Sequence, residues 1–332
     1  MTAAAANPAS PVQAALVPRV EDFRGDYAPL AAMMLETWSR RKEQALVYSE
    51  EYLRSVFAYP GMSPALAPAI YGDAGPVAFI AGPPRRLAAN GRRLNVVRAS
   101  LLTTSMGLGA KGWGIVVWSA LARRARALGF DGVINCSVAG LGADAFFAGC
   151  ARRLGMTAAR LYSAACLARL LRPGIQGESA VAADPELFLS AANALAARTP
   201  FARLWTLAEA EWECRSRSGA VSVQSASGGR AGVLAGYVMQ LTGAGAPKCL
   251  LIENVLWGGL DAAERRALLR SFLARAQEAG AGMALAPCTG SFDLAPLHEC
   301  GFRLSRRVID IYLCLWQPTP IDEPQSVYLD IF

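Results

Sequence analysis

The residues whose types and spacing could do chemistry are concentrated in residues 101–129, which read LLTTSMGLGAKGWGIVVWSALARRARALG. An apolar strand pattern opens this stretch, glycines follow at positions 107, 109, 112 and 114, and an amphipathic helix pattern runs to Gly129. A strand, a glycine loop and a helix N-terminus in this order form an anion site, because the loop exposes backbone N–H groups and the helix dipole favours negative charge. The stretch therefore predicts a ligand that carries phosphate.

Two known phosphate-binding patterns match this loop poorly. A Walker loop needs Gly-x-x-x-x-Gly-Lys-Ser/Thr, but Lys111 is followed by a glycine and a tryptophan. A dinucleotide fingerprint matches the spacing of Gly107, Gly109 and Gly112, and it requires an acidic residue about 20 positions further on. Asp131 stands near that distance but precedes the next strand. A glycine-rich turn that binds no ligand remains the alternative.

The stretch resembles the acetyl-CoA loop of the GNAT superfamily of acyltransferases, in which an apolar strand leads into Arg/Gln-x-x-Gly-x-Gly/Ala and then a helix. Residues 111–114, Lys-Gly-Trp-Gly, stand where that family has Arg-Gly-x-Gly, and Gly109 stands where it has Arg or Gln. The likeness continues through an apolar strand at residues 132–138. The helix after it ends in Arg-Leu-Gly-Met at residues 153–156, close to the family's Lys-Leu-Gly-Phe.

This resemblance implies which residues would hold acetyl-CoA or another acyl-CoA. Backbone at the end of the strand would pair with the pantetheine arm, and the loop with the start of the helix would hold the pyrophosphate. The residues assigned to the cofactor are Thr104, Ser105, Met106, Lys111, Gly112, Trp113, Gly114 and Ile115.

Acyl transfer to an amine needs a neutral nitrogen, a thioester held in line and a proton donor for the departing thiolate. GNAT enzymes often use a Glu on the strand before the loop and a Tyr four residues before the Gly-Phe that ends the last helix. The corresponding helix positions here are Ala151 and Leu297, and the strand at residues 97–106 holds no carboxylate. Both family groups are therefore missing from their usual places.

The remaining candidates for catalysis are polar residues on strands. Asn135 and Ser137 lie on the strand after the helix, and Thr103 and Thr104 lie at the end of the strand before the loop. Hydroxyls and amides orient water and donate hydrogen bonds but are poor bases at neutral pH. Glu253, in Ile-Glu-Asn-Val, resembles the Ile-Glu-x-Leu/Val strand of active GNAT enzymes. Each of these residues also has a structural interpretation, and for Glu253 it is a paired interior carboxylate.

Composition and charge limit the classes of protein. With 332 residues, 53% of them hydrophobic, the chain is long enough for two domains with large cores. The formal net charge is +7 and comes mostly from arginine, which suits a ligand with several phosphates. The basic residues are not interleaved with aromatic residues, so we expect no nucleic-acid partner. No apolar run reaches the ~18 residues of a membrane span, so we expect no membrane partner.

Cysteine and histidine usage argues against several kinds of site. The eight cysteines are never closer than twelve positions apart, so the chain has no Cys-x-x-Cys metal or redox pair. His298 is the only histidine, which argues against Ser-His-Asp or Cys-His catalysis and histidine-rich metal sites in the first half. Residues 1–18 show no signal-peptide pattern. We therefore predict reduced core thiols, no metal site and a cytoplasmic protein.

The order of predicted elements repeats along the chain. A shift of 151 positions takes the strand end at Met106 to Trp257 and the helix cap at Gly129 to Gly280, which indicates an internal duplication. Two unrelated units of similar length are the alternative. The predicted fold class is α/β, of the α+β type, with two tandem GNAT-like domains, each a mixed, mostly antiparallel sheet flanked by helices. The predicted division is a disordered tail (1–16), a first domain with the acyl-CoA loop (17–172), a linker (173–184), a second, degenerate domain (185–318) and a C-terminal tail (319–332).

The two copies differ at the loop. At the same shift Gly112 becomes Ala263 and Gly114 becomes Arg265, while Glu264 adds negative charge at the helix start. A pyrophosphate would meet bulk and repulsion there, so we assign the cofactor to the first half.

The resulting hypothesis is an N-acyltransferase that moves an acyl group from acyl-CoA to the amine of a small metabolite. Acetyl is the acyl group that the family resemblance favours. A GNAT that acylates a protein or uses a carrier-bound donor is an alternative in the same fold. A CoA-binding sensor or scaffold that has lost its catalytic groups is an alternative from another class.

Overall fold

The structure is a computed structural model. It describes residues 19–40, 45–106, 112–175, 177, 181–317 and 323–332. The predicted N-terminal tail at residues 1–16 lies outside the described residues, and so does Lys111.

Each half of the chain contains strands and helices in a similar order. The elements of the first half are β1 (Val20–Asp22), α1 (Tyr27–Ser39), α2 (Glu50–Phe57), β2 (Pro68–Gly72), β3 (Gly75–Ala81), β4 (Pro84–Ala89), β5 (Arg92–Thr104), α3 (Trp113–Ala127), β6 (Gly132–Val138), α4 (Ala143–Leu154) and β7 (Thr157–Leu170). Those of the second half are α5 (Pro185–Ala196), β8 (Phe201–Leu204), α6 (Leu207–Glu211), β9 (Ala220–Ser227), β10 (Arg230–Gln240), β11 (Lys248–Leu256), α7 (Ala262–Glu278), β12 (Ala281–Pro287), α8 (Ala295–Glu299), β13 (Arg303–Leu315) and β14 (Val327–Tyr328).

Local sequence explains where these elements begin and end. Ser49 caps the start of α2, since its hydroxyl accepts a hydrogen bond from Tyr52 N at 3.1 Å. Helix α3 buries Val117, Trp118 and Leu121 on one face and ends just before Gly129, which has a φ of +83°. That left-handed conformation favours glycine, so the predicted helix cap is confirmed.

The strands form one continuous mixed sheet across both halves. Its main order is β1-β2-β3-β5-β6-β13-β7-β12-β11-β10-β9. The last strand of the second half, β13, lies between β6 and β7 of the first half, and β7 pairs in turn with β12 of the second. The two halves therefore exchange their last strands, and neither sheet is complete without the other half. This matches the predicted mixed, mostly antiparallel sheet flanked by helices.

The order of the strands is also symmetric about the boundary between β13 and β7. Counting outward from that boundary pairs β6 with β12, β5 with β11, β3 with β10 and β2 with β9. Strands β5 and β6 are parallel neighbours, as are β11 and β12, and a helix connects each pair. The repeated order supports the internal duplication that the sequence spacing indicates.

The halves also share a hydrophobic core. Leu30 and Met34 of α1 belong to the same buried cluster as Tyr237 of β10 and Leu251 of β11. The rings of Tyr52 and Tyr237 stack with centroids 5.9 Å apart. The division of the chain at residues 173–184 stays a prediction, but packing of this kind ties the segments before and after it into one body.

The interpretation of residues 319–332 as a C-terminal tail needs correction for residues 323–332. Within them β14 pairs with β8, and Val327, Leu329 and Ile331 are buried in one core cluster. The physical reason is the alternation of apolar residues at every second position, which is a strand pattern that turns one side toward the core. Proline and acidic residues just before it obscure this pattern in the sequence.

None of the helices in the described part of the chain combines the length and apolar character needed to cross a membrane.

We expect residues 1–175 expressed alone to be insoluble or to lack a cooperative thermal transition. Without β13, strands β6 and β7 lose their common neighbour and expose unpaired backbone and apolar surface. Solubility and circular dichroism during heating measure this. Co-expression with residues 176–332 should restore a soluble complex, and a soluble, cooperatively melting fragment on its own would contradict the shared sheet.

Candidate functional site

Strands β5 and β6 separate partway along their length. They pair in parallel from Val96 opposite Gly132 to Ala99 opposite Asn135. Beyond that point β5 continues along β3 and β6 continues along β13. A wedge opens between them, where the backbone groups of β5 and β6 no longer pair with each other and can face an extended ligand.

A bulge directs the end of β5 at this wedge. Phe79 of β3 pairs with Thr103 and Ala81 pairs with Ser100, so two residues of β5 stand opposite one of β3. One of the two is Leu101, whose φ is +61°. A left-handed conformation is uncommon for a residue with a branched side chain, and strain of this kind is concentrated at functional sites.

The backbone just after the bulge has one edge committed to the sheet and one facing the wedge. Ser105 N donates to Val77 O of β3 at 2.8 Å. Because backbone groups alternate between the edges of a strand, those of Thr104 point toward the wedge. Thr104 O accepts a hydrogen bond from Thr37 Oγ1 at 3.3 Å, which holds the end of α1 against β5. Met106 follows and is half exposed.

Helix α3 begins beside this backbone, and no side chain of the described residues caps it. Gly112 precedes it with a φ of +75°, and the amides of Ile115 and Val116 both donate to Gly112 O at 3.0 and 3.2 Å. The amides of Trp113 and Gly114 come before these first intrahelical donors, at the positive end of the helix dipole. Among the described residues, a Cβ added at Gly114 would meet Thr104 Cγ2 at 3.7 Å, an ordinary van der Waals distance, so no close contact fills the position.

A cavity of about 290 Å³ joins these features. It brings together four of the eight residues predicted to bind the cofactor. The sequence interpretation missed most of the other residues, which come from helices α1 and α4 and from β5. The lining residues are Thr37, Trp38, Leu102, Thr103, Thr104, Gly112, Gly114, Ile115 and Phe146. The aromatic residues Trp38 and Phe146 carry no local signal for a ligand, because an apolar residue on an amphipathic helix usually indicates core.

The equivalent helix of the second half has its N-terminus closed by its own side chains. The Asp261 carboxylate accepts from the amides of Ala263 and Glu264 at 2.9 and 3.0 Å, and Glu264 Oε2 accepts from Asp261 N at 2.8 Å. Such a capping box satisfies the donors that a phosphate would need, and it places two carboxylates at the site. Arg230 pairs with Glu264 at 2.8 Å and with Asp261 at 3.8 Å, while Arg265 pairs with Asp293 at 3.0 Å, so the nearby guanidinium groups are already committed to carboxylates of the protein.

The structure places Asn135 at the junction of β6 and α3. Its Oδ1 accepts from Trp118 Nε1 at 2.9 Å, and its side chain is almost fully buried. The amide thus fixes the helix to the sheet. Ser137 is half-buried two residues further along β6, opposite Asp310 of β13. Catalytic roles for Asn135 and Ser137 stay predictions.

Glu253 lies in the second half, where it holds the last described residues of the chain. Its carboxylate accepts from Ile331 N at 2.8 Å and Phe332 N at 3.1 Å, and Arg217 Nη2 lies 3.7 Å away. Burial raises the pKa of Glu253 to about 7, against the opposing pull of Arg217 and Arg98. A role in proton transfer stays a prediction.

A buried group of charges connects the wedge to both halves. Asp330 forms ion pairs with Arg85 at 2.7 Å, Arg203 at 3.1 Å and Arg98 at 3.5 Å. Although burial acts to raise the pKa of Asp330, the three guanidinium groups outweigh it and hold that pKa well below its usual range. Arg98 also donates to Phe332 O at 2.5 Å and stands next to Ala99, where β5 and β6 separate. Sequence reasoning missed this group because its members are far apart along the chain.

Among the described residues, no group of three or more His, Cys, Asp or Glu side chains is arranged to hold a metal ion.

Comparison with known proteins gives a match in structure alone. No protein-family model and no curated protein sequence matches the chain. A crystal structure of Saccharomyces cerevisiae N-myristoyltransferase with bound myristoyl-CoA superimposes with a TM-score of 0.72 at 11% identity, covering 95% of this chain and 89% of that one. A second structure of that enzyme with myristoyl-CoA gives 0.71 at 12% identity, over 91% and 80% of the chains. The chain therefore has the mixed α/β fold of these N-myristoyltransferases.

We expect Asp330→Asn to lower the free energy of unfolding by about 3–5 kcal/mol, because it leaves three buried guanidinium groups without their shared carboxylate. Urea denaturation followed by fluorescence measures this. The depressed pKa also means that this stabilisation is complete at neutral pH and is lost as pH falls below about 5. The control is Asp293→Asn, whose pair with Arg265 is exposed and should cost less than about 1 kcal/mol. Equal losses in the two variants would contradict the assignment.

Proposed function

We propose that the chain is an acyl-CoA-dependent N-acyltransferase whose donor binds in the wedge between β5 and β6. The observation that carries this proposal is the uncapped N-terminus of α3, which opens on a cavity at the diverging end of β5. The matching helix α7 is closed by a capping box. Because one of two equivalent positions keeps its backbone donors available, we propose one donor site per chain.

The residues around the cavity suit the two polar parts of coenzyme A. The amides of Trp113 and Gly114 offer donors and a positive dipole to a pyrophosphate. We propose that the backbone groups of Thr104 and Met106, which alternate with the sheet-bound Ser105, pair with the amide groups of a pantetheine arm. The absence of a side chain at Gly114 provides room for the phosphates. We assign Lys111, Gly112 and Ile115 to the same pyrophosphate site, and Ser105 to the pantetheine side.

The donor supplies an acyl group activated as a thioester, and the protein must orient it and remove a proton from the amine. We propose Glu253 as the proton acceptor, because a pKa of about 7 suits a base that works near neutral pH. Its carboxylate has about four lone-pair positions and accepts two backbone hydrogen bonds, so capacity remains. Arg98, which contributes to the pKa of Glu253, stands at the last paired positions of the wedge. Asn135 and Ser137 are proposed only as orienting groups.

The acceptor we propose is a primary amine of a small metabolite, and peptides with a free N-terminus are the second class to test. Release of free CoA thiol from acetyl-CoA in the presence of each amine pool measures transfer. If CoA thiol is released only when an amine is present, the result supports an N-acyltransferase. Tight CoA binding without release would instead identify the sensor or scaffold alternative.

We expect Gly114→Glu to lower the affinity for CoA at least a hundredfold, because a carboxylate would occupy the phosphate space at the start of α3. Isothermal calorimetry measures this. Gly114 is the cleaner position, since Gly112→Glu, which should also abolish binding, adds the strain of a positive φ. The matched control is Ala263→Glu at the start of α7, which should leave affinity within about twofold. Equal losses at both helices would overturn the site.

The rate of acyl transfer should fall as pH drops below about 7, because Glu253 must be ionised to accept a proton. Glu253→Gln should lower kcat by roughly a hundredfold and remove this acidic limb of the pH profile. The control is Glu264→Gln, which removes a carboxylate on α7 and should leave the acidic limb of the pH profile unchanged. If Glu253→Gln lowers activity equally at every pH, then Glu253 only holds residues 331 and 332, and the base assignment fails.

A further inference from the structure

The cavity at the end of β5 reaches both faces of the sheet. Neighbouring residues of β3 show the two faces, since Phe79 packs in the core of α1 whereas Ala78 packs in the core of α3. Ile115 and Phe146 line the cavity on the α3 face, and Thr37 and Trp38 line it on the α1 face. A ligand held by phosphates at α3 therefore extends through the wedge toward Trp38.

The size of the cavity limits what that ligand can carry. Its volume of about 290 Å³ lies at the lower end of the ~300–1,000 Å³ that sites for drug-sized ligands occupy. In a cavity this small, the wall farthest from α3 decides how long an acyl chain can be.

Trp38 forms part of that wall and is held in place by a chain of two hydrogen bonds. Its indole Nε1 donates to Thr103 Oγ1 at 3.1 Å, and the Thr103 hydroxyl donates to Leu101 O at 3.2 Å. Thr103 is only 3% exposed, so water competes little for these bonds. The rings of Tyr48 and Trp38 pack at a steep angle to each other, with centroids 5.9 Å apart. Rotation of the indole away from this position would break this chain of hydrogen bonds. The left-handed backbone of Leu101 determines where the last acceptor, Leu101 O, lies.

We infer, on the basis of the proposed function, that Trp38 closes the acyl end of the cavity and restricts the donor to short acyl chains such as acetyl. The structure thereby assigns a specificity-determining residue, which touches the acyl group and takes no part in proton transfer. Removing the indole extends the cavity toward Tyr48 and the apolar cluster beyond it.

The test compares the affinities of CoA, acetyl-CoA, butyryl-CoA and octanoyl-CoA by calorimetry. We expect the wild-type chain to bind octanoyl-CoA at least tenfold more weakly than acetyl-CoA. Trp38→Ala should raise the affinity for octanoyl-CoA by at least tenfold and leave the affinity for acetyl-CoA within about threefold of wild type. The reason is that each newly buried methylene contributes about fourfold in affinity. Trp38→Phe keeps an aromatic wall without the N–H donor, so it should show only a small gain.

The wild-type series is decisive even where Trp38→Ala does not fold, and Trp38→Leu is then the second variant. If the wild-type chain binds CoA but its affinity for acyl-CoA does not change with acyl-chain length, this inference is overturned and the proposed function stands. An equal change in the affinities for acetyl-CoA and octanoyl-CoA in Trp38→Ala would overturn this inference as well. If CoA itself does not bind, the proposed function fails and this inference fails with it.

Discussion

The exchange of β7 and β13 is the constraint on which the rest of the structure depends. Because β13 comes from the second half and lies against β6, the strand that borders the wedge is positioned by residues far along the chain. The buried Asp330 reinforces this arrangement, since its three arginines come from β4, β5 and β8. Isolated buried charges of this kind are costly, so the network holds the last residues of the chain in one place only. The wedge is therefore a property of the whole chain.

The two halves provide similar frameworks with different chemistry. Both halves contain parallel strands that separate next to the start of a helix. The first has glycine at positions 112 and 114, which leaves backbone donors and open space. The second has Asp261 and Glu264, which satisfy the same donors internally. A few side chains at one helix terminus thus distinguish the start of α7, whose donors are satisfied internally, from the start of α3, where we propose the anion site.

Sequence reasoning predicts the local parts of this structure and misses the long-range ones. The strand, glycine loop and helix around Gly112 follow from periodicity and from the conformational demands of glycine, which act over a few residues. The partner of β7 does not follow, because an apolar strand has the same pattern whichever neighbour it pairs with. Trp38 and Asp330 join their sites only through folding, and no local spacing marks them. Glu253 resembles a catalytic strand in sequence, yet its contacts to Ile331 and Phe332 become visible only in three dimensions.

Hydrogen exchange with and without CoA tests the central claim, that one of two equivalent helix termini holds the donor. Amides that lack an internal acceptor exchange quickly until a ligand binds them. We predict that CoA protects the amides of Trp113 and Gly114 and those at the end of β5, and that the amides at residues 261–265 exchange at unchanged rates. Protection at the start of α7, or no protection at the start of α3, would contradict the account.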